Sequence, residues 1–281
     1  LRLCIEEKPI LKPKALLSKQ EVLKSDPPTT GELSEATRRF LAPGDLLEPD
    51  DDNALLLQET ANQLREDAFV ILTHLSGKID LYDFDSDVSW PIFDGLIHWC
   101  VSKSAEAKDL LAPGCISPRN YCLETICKMS VIERNVDLLI STGPWQRMEM
   151  FIKNIASLLA MNEEIPYREF AIVILHAICA ASEAACVVTA LETSAITYLV
   201  TFLEAGDTSF HQVAQQHGMH ALRENPELVG TSVGMLRKAA MIMLHLSRIP
   251  ICRKQFFKHQ QLLLQFTMSQ LMDSKVGATI A

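Results

Sequence analysis

Glycine and aromatic residues are scarce in this sequence. Of its 281 residues, 11 are glycine, and aromatic side chains make up 6%. The usual glycine content is about 7%. Tight turns draw on glycine, and β-strands favour aromatic side chains. The two-residue alternation of apolar and polar residues that marks a half-buried strand is also absent. These absences predict an all-α chain.

Long apolar runs and an excess of positive charge are missing as well. Apolar runs such as residues 171–175 fall far short of the roughly 20 residues that span a membrane. The 35 acidic residues outnumber the 26 lysines and arginines, which leaves a formal net charge of −9. Phosphate neutralisation needs a basic surface, so this balance argues against a protein that wraps nucleic acid. An apolar fraction of 48% is enough to build a folded core.

Motifs for cofactor binding and metal catalysis are lacking. No Walker-type loop, His-Glu-x-x-His or Gly-x-Gly-x-x-Gly pattern occurs. The eight cysteines form no Cys-x-x-Cys pair, and most lie in apolar helical stretches. We interpret them as free thiols packed in a reducing compartment. We therefore expect no enzymatic activity, no catalytic residue, no cofactor and no metal site.

The N-terminal segment differs in composition from the rest of the chain. Residues 1–53 contain 6 of the 13 prolines and end in an acidic run. This composition predicts a loosely ordered linker with one short helix near residues 31–41. Residues 54–281 are predicted to form a helical repeat domain with a polar insertion near residues 206–230. We expect the sequence to be part of a larger protein.

Helical spacing of apolar residues is plentiful after residue 54. In residues 145–161 the apolar positions fall on one helical face: Met148, Phe151, Ile152, Ile155, Leu158 and Leu159. The Ile165-Pro166 pair places proline at a helix entrance, where its missing N–H costs nothing. Asp207 and either Thr231 or Ser232 are predicted to cap helix N-termini. Further helices are predicted over residues 183–191, 194–204, 251–258 and 259–272.

An internal repeat is the strongest feature of the sequence. Four segments begin with an arginine and continue with the same apolar spacing; they start at Arg65, Arg119, Arg168 and Arg237. A small residue follows three places later, and larger apolar residues follow four and seven places later. The arginines lie 54, 49 and 69 residues apart, against about 40–47 residues for armadillo and HEAT units. This pattern predicts an armadillo/HEAT-like α-solenoid of stacked helical repeats; the alternative is an ordinary helical bundle.

The histidines are weighed as candidate ligands. His217 and His220 are three residues apart, a spacing that permits metal binding on one helical face, but no acidic residue or cysteine completes a set. A solvated polar helix is the favoured interpretation. His176 and His245 both lie eight residues after a repeat arginine, which indicates a role in packing or in hydrogen bonding between helices.

Two groups of residues are candidates for partner binding. Trp145, Glu149 and Lys153 lie on a predicted third helix of a repeat, outside its apolar stripe. A basic cluster near residue 250 can contact phosphate or an acidic partner: Arg248, Arg253, Lys254 and Lys258. Phe256 and Phe257, beside this cluster, are at spacing typical of a core. A ladder of asparagines on successive third helices, as in armadillo proteins that bind extended peptides, is not present.

The order and spacing of several segments resemble a known family. The segments are residues 64–72, 76–81, 91–99, 104–107, 117–119, 135–139, 168–173 and 231–233. Over roughly residues 55–250 they are similar to the C-terminal domain of the ARID-containing, Osa-like large subunit of BAF-type SWI/SNF chromatin remodellers. The resemblance implies an armadillo-like, non-catalytic scaffold in the nucleus.

The resemblance also implies partners. They are other SWI/SNF subunits, including the helical segment of the ATPase subunit and core subunits, with no membrane and no direct nucleic-acid binding expected from this chain. An armadillo-type peptide-binding adaptor in nuclear transport or signalling is the alternative. Direct binding of nucleic acid through residues 248–259 is a third hypothesis, and it predicts measurable DNA affinity with a steep dependence on salt.

Overall fold

The described part of the chain is all-α. A computed structural model of the protein describes residues 52–101, 118–224 and 226–281. Within these ranges there are eleven α-helices and no strand. The helices are α1 (Asp52–Leu75), α2 (Ser86–Val101), α3 (Pro118–Met129), α4 (Glu133–Ser141), α5 (Trp145–Ser157), α6 (Ile165–Ala181), α7 (Glu183–Leu191), α8 (Ala195–Glu224), α9 (Val233–Arg248), α10 (Gln260–Met268) and α11 (Ser274–Ile280). The prediction of an all-α chain is confirmed. Of the linker predicted over residues 1–53, only residues 52–53 are described, and they begin α1; the predicted short helix lies outside the described residues.

Local sequence explains where several helices begin. The Ser182 hydroxyl accepts a hydrogen bond from the Ala185 N–H at 3.2 Å and so caps α7. The Ser232 hydroxyl caps α9 in the same way through the Met235 N–H. Pro166 lies in the first turn of α6, as predicted. The prediction that Asp207 caps a helix is wrong, because α8 runs through it from Ala195.

The chain divides into two compact units, Leu1–Phe151 and Ile152–Ala281. In the first unit, α1 and α2 both pack against α3. The core lies between them and consists of fully buried side chains, including Leu72, Phe93, Ile97, Leu123 and Ile126. Burying each such side chain stabilises the fold by about 1.5–3 kcal/mol.

The side chain of one asparagine connects α3, α4 and the loop that precedes α2 through hydrogen bonds. Asn135, at 1% exposure, accepts a hydrogen bond from the Leu81 N–H at 2.8 Å. Its amide donates to the Ile79 carbonyl at 2.8 Å and to the Met129 carbonyl at 3.4 Å. The side chain thus satisfies the Leu81 N–H and the Ile79 carbonyl, and it adds a second hydrogen bond to the Met129 carbonyl, which also accepts from the Ile132 N–H at 3.2 Å.

In the second unit, α6 and α9 pack side by side, and α11 covers both α9 and α10. Small residues are among the buried positions of these two helices: Ala171 of α6 and Ala239 and Ala240 of α9 are at most 1% exposed. Gly206 of α8 faces Leu236 of α9 so closely that an added Cβ would lie 2.8 Å from a Leu236 methyl carbon. Small side chains at these positions let the helix axes approach.

The repeat pattern is accurate in two helices and shifted by one residue in a third. In α3 and in α6 the buried residues fall three, four, six, seven and ten places after Arg119 and Arg168. In α9 the same pattern counts from Leu236 rather than from Arg237. The reason is that Leu236 occupies the space beside Gly206, while Arg237 points outward to Asp273, with N···O distances of 2.8 and 2.6 Å.

The repeat arginines make different contacts. Arg168 is buried and donates to the carbonyls of Ala160, Met161 and Glu163 at 2.8–3.4 Å, so it closes the turn before α6. Arg237 is an ion-pair partner, whereas the Arg119 Nε–H has no hydrogen-bond partner in the described part of the chain. Arg119, Arg168 and Arg237 therefore lie near helix starts without sharing one contact, whereas Arg65 lies inside α1. Stacking of these layers into a solenoid stays a prediction.

Helix α8 extends beyond its predicted end. The predicted helix over residues 194–204 continues into the stretch predicted as a polar insertion, and Gly218, at φ 81°, interrupts it. His217 and His220 lie on opposite sides of this break, so the prediction that they share one helical face is wrong. The predicted helix over 251–258 is a 3-10 helix (Arg253–His259), and the next helix is shorter than predicted.

No single helix in the described ranges has both the length and the apolarity to cross a membrane. Two helical segments joined at a bend, Glu183–Leu191 and Ala195–His220, are together long and apolar enough to cross one, by length and composition alone.

The Asn135 corner yields a first prediction. In Asn135→Ala, the Leu81 N–H loses its partner while buried, and we expect a loss of about 2–3 kcal/mol in the free energy of unfolding. Urea unfolding followed by far-UV circular dichroism measures this loss. Hydrogen exchange should show reduced protection of the Leu81 amide. Asp137→Ala, an exposed substitution on the same helix, is the control and should stay within about 0.5 kcal/mol of the unsubstituted chain; equal losses in both variants would contradict the prediction.

A second prediction concerns the two histidines on α6 and α9, whose ring centroids are 5.9 Å apart. Burial lowers the pKa of His176 to about 4, aided by the charges of Lys238 and His245. Burial and Arg248 lower the pKa of His245. The unfolded chain, with histidine pKa values of about 6.5, binds protons more readily than the folded chain. Stability should therefore be complete above about pH 6.5 and fall as the pH is lowered toward 4.

The urea midpoint measured across this pH range tests the expectation. His176→Leu should flatten the dependence between pH 6.5 and 4, because it removes the group with the largest shift. His211→Leu, at an exposed histidine of α8, is the control and should keep the slope. An unchanged slope in His176→Leu would show that other groups govern the acid sensitivity.

Candidate partner-binding surface

The first candidate group lies on α5. Trp145, Glu149 and Lys153 are four residues apart, so they follow one another along one side of this helix. All three are partly exposed, as expected of residues outside the apolar stripe. The Lys153 ammonium lies 2.6 Å from a carboxylate oxygen of Glu192, so it is already paired. Their contact with a partner stays a prediction.

The second candidate group, the basic cluster, contains residues of two kinds: one caps a helix, and others are exposed to solvent. The Arg253 guanidinium donates to the carbonyls of Ser247 and Arg248, at 2.8 and 3.3 Å. These are among the last carbonyls of α9, so Arg253 caps that helix and places a positive charge at its negative end. Lys254 and Lys258 are exposed.

Exposed residues continue from this cluster along α10. Between residues 254 and 268, seven exposed residues lie three or four positions apart: Lys254, Phe257, Lys258, Gln261, Leu264, Gln265 and Met268; Gln260 is exposed as well. We call this set the C-terminal ridge. Positions with this spacing lie on one side of a helix, so the ridge runs along the outer side of the 3-10 helix and α10.

The opposite side of these two helices is anchored in the second unit. Cys252 and Phe266 are buried. The His259 ring lies 3.2 Å from the Thr197 hydroxyl of α8. The Ser269 hydroxyl donates to Asp207 of α8 at 2.6 Å. The ridge is therefore the free side of an element that is otherwise fixed.

The ridge is unusually apolar for an exposed surface. Phe257 is 66% exposed, Leu264 63% and Met268 80%. Single exposed apolar residues are normal, but several within a short segment indicate an interaction surface. The prediction that Phe257 belongs to a core is wrong, because the buried face of this segment is taken by Cys252 and Phe266.

The charge around the ridge is of one sign. Residues 228–272 contain six lysines and arginines and no aspartate or glutamate. This 45-residue stretch lies in a chain whose net charge is −9, so it stands out against the rest of the sequence. The absence of acidic residues leaves Lys254 and Lys258 without a carboxylate from their own stretch of chain.

A further apolar row lies on α1 in the first unit. Leu56, Leu64, Ile71 and Leu75 are between 42% and 62% exposed, at spacings that place them along one side of the helix. Sequence reasoning assigned α1 an inward stripe through Leu72, which is buried as predicted. It missed this second row, although the spacing of seven and four residues between Leu64, Ile71 and Leu75 is readable in the sequence.

A serine motif was also missed. Residues 230–234 fit the Gly-x-Ser-x-Gly pattern of hydrolase nucleophiles. In hydrolases this serine sits on a sharp turn between a strand and a helix. Here Ser232 follows a 3-10 turn (Pro226–Val229), and its hydroxyl is engaged in capping α9. The motif is explained by helix capping, and the described residues contain no cluster of His, Cys, Asp and Glu suited to a metal ion.

Known proteins resemble this chain along most of its length. The profile of one family, described as SWI/SNF-like complex subunit BAF250/Osa, matches residues 19–236. Trithorax group protein osa of Drosophila melanogaster is 38% identical over 223 residues, which covers 78% of this chain and 8% of that protein. The protein of the same name from Drosophila yakuba is 44% identical over 92 residues, or 33% of this chain and 28% of its own length.

The chain thus spans a small part of these relatives, and the match includes both units of the fold. The family model alone covers more than half of the chain. The resemblance inferred from the repeat segments is confirmed, and this chain belongs to the BAF250/Osa family of SWI/SNF-like complex subunits.

Proposed function

We propose that this chain is a non-catalytic scaffold that holds subunits of a SWI/SNF chromatin remodelling complex together in the nucleus. Its partners include the helical segment of the ATPase subunit and core subunits. The observation that carries the proposal is the C-terminal ridge, an exposed apolar row on a helix fixed from behind. Membership of a family of complex subunits supplies the setting.

Physical reasoning supports a scaffold made in this way. Association costs the ordering of side chains and loops at the interface, and a preformed surface lowers that cost. The ridge lies on helices whose inner side is already packed through Phe266 and hydrogen-bonded through Ser269. A partner helix can therefore lay its grooves over ridge side chains that are already in position.

The α5 group is proposed as a second contact surface. Trp145 offers a large, partly exposed aromatic side chain, a residue type enriched among binding hot spots. Glu149 and Lys153 follow it on the same side of the helix with opposite charges. Such an arrangement favours one orientation of a charged partner over the reverse. Arg248 and Arg253, next to the ridge, extend the basic surface.

Co-purification tests the proposal. The tagged chain is co-expressed with the subunits of a SWI/SNF complex, and the recovered subunits are identified by mass spectrometry. We expect the ATPase and at least one core subunit to be retained. The double variant Glu149→Lys/Lys153→Glu should lower that recovery roughly tenfold, an effect of about 1.4 kcal/mol.

The control reverses charges elsewhere. Glu133→Lys/Lys78→Glu changes two exposed residues outside both surfaces and, like the test variant, leaves the net charge unchanged. It should retain the subunits fully. A chain that is folded by circular dichroism but retains no subunit would refute the scaffold role, whereas full retention by the α5 variant would remove only the α5 surface from it.

A further inference from the structure

We propose that the C-terminal ridge binds an acidic amphipathic helix of a partner protein. The inference rests on the proposed scaffold function and adds to it the chemistry of one partner segment. The ridge supplies an apolar row of Phe257, Leu264 and Met268 beside the positive charges of Lys254 and Lys258. The matching occupant carries leucine-like side chains on one stripe and glutamates or aspartates beside that stripe.

Charge decides the sign of the partner. Across residues 228–272 all six formal charges are positive. A basic partner would meet the like charges of Lys254 and Lys258 on the ridge, and like charges across an interface select against that partner. An acidic partner gains attraction at the end of the ridge that carries Lys254 and Lys258, and it is steered toward a positive surface on a chain whose net charge is −9.

Geometry decides the kind of partner. The ridge has a contour length of about 25 Å, from six residues of 3-10 helix and nine of α-helix. An α-helix of roughly 16 residues has the same length. The exposed apolar positions recur at helical spacing, which matches the stripe of an amphipathic helix. An extended peptide would instead require pockets at two-residue spacing.

Two other occupants fit less well. Nucleic acid binds through many phosphate contacts, yet only two of the seven ridge residues are lysines, and the other five are uncharged. Exposed leucine and methionine gain nothing from phosphate. A second copy of this chain that docked ridge to ridge about a two-fold axis would place the end with Lys254 and Lys258 against the apolar end of the other ridge, which offers the lysines no carboxylate. Both remain outcomes of the test.

The experiment uses the 281-residue chain and four defined probes. The first probe is a labelled helical peptide of roughly 18 residues with a leucine stripe flanked by glutamate. The second replaces every glutamate with lysine, and the third scrambles the first so that no stripe remains. The fourth is a duplex DNA of similar length. Fluorescence anisotropy at physiological salt measures binding of each probe.

We expect the glutamate peptide to bind and the other three probes to bind at least roughly tenfold more weakly. Lys254→Glu/Lys258→Glu should reverse the preference, so that the lysine peptide becomes the tighter ligand. Arg253 is left unchanged because it caps α9. Lys78→Glu/Lys275→Glu, at two exposed lysines outside the ridge, introduces the same change of net charge and should keep the original preference.

A third variant tests the apolar half of the ridge. Leu264→Ser/Met268→Ser removes two exposed apolar side chains, so folding should be retained. We expect it to weaken binding of the glutamate peptide to the level of the scrambled peptide. Far-UV circular dichroism confirms that each variant is folded.

Several results would overturn the proposal. They are equal binding of the glutamate and scrambled peptides, tighter binding of DNA, or an unchanged preference in Lys254→Glu/Lys258→Glu. Self-association of the chain that Lys254→Glu/Lys258→Glu abolishes is a further such result. Lack of any peptide binding would also overturn it. These failures are separable from failure of the scaffold role, because co-purification of the ATPase and core subunits is measured independently and does not require an acidic partner.

Discussion

Close approach of helices through small side chains is the constraint on which the second unit depends. The packed helices α6 and α9 bury Ala171, Ala239 and Ala240, and α8 contributes Gly206 beside Leu236 of α9. Larger residues at these positions would hold the axes apart and open cavities around the isoleucines and leucines between them. Because one face of each helix is buried in this packing, its polar and charged residues lie in the turns and on the outer side. The C-terminal ridge is one such outer side.

Most of the fold was predictable because its determinants are local. The bounds predicted for the helix over residues 183–191 are those observed, since Ser182 caps its start. The register of α9 was not predictable, because it depends on Arg237 meeting Asp273, which is 36 residues away in sequence, and on the room that Gly206 gives to Leu236. The length of α8 was underestimated because a polar stretch was interpreted as an insertion, although its residues are compatible with an exposed helix.

The residue types of the candidate surface were predictable from the sequence, but the contacts and the exposure of each residue were not. The sequence places Arg248, Arg253, Lys254 and Lys258 close together, yet it does not tell that Arg253 is occupied by carbonyls of α9. The exposed apolar residues of the ridge were not predicted, because a periodic pattern does not distinguish an exposed leucine from a buried one. Their exposure depends on which side of α10 meets α8 and α11, and that is decided by contacts between elements rather than within them.

The Asn135 corner narrows the choice of residue at that position to one. The side chain accepts from one backbone N–H and donates to two carbonyls within a space of 1% exposure. Aspartate has the same shape but, when ionised, offers no donor to those carbonyls, and glutamine adds a methylene that the closed corner cannot admit. A serine is too short to span both directions. Substitution here is therefore limited by chemistry and not by size alone, unlike at the leucine and isoleucine positions nearby, where apolar residues of similar volume can exchange.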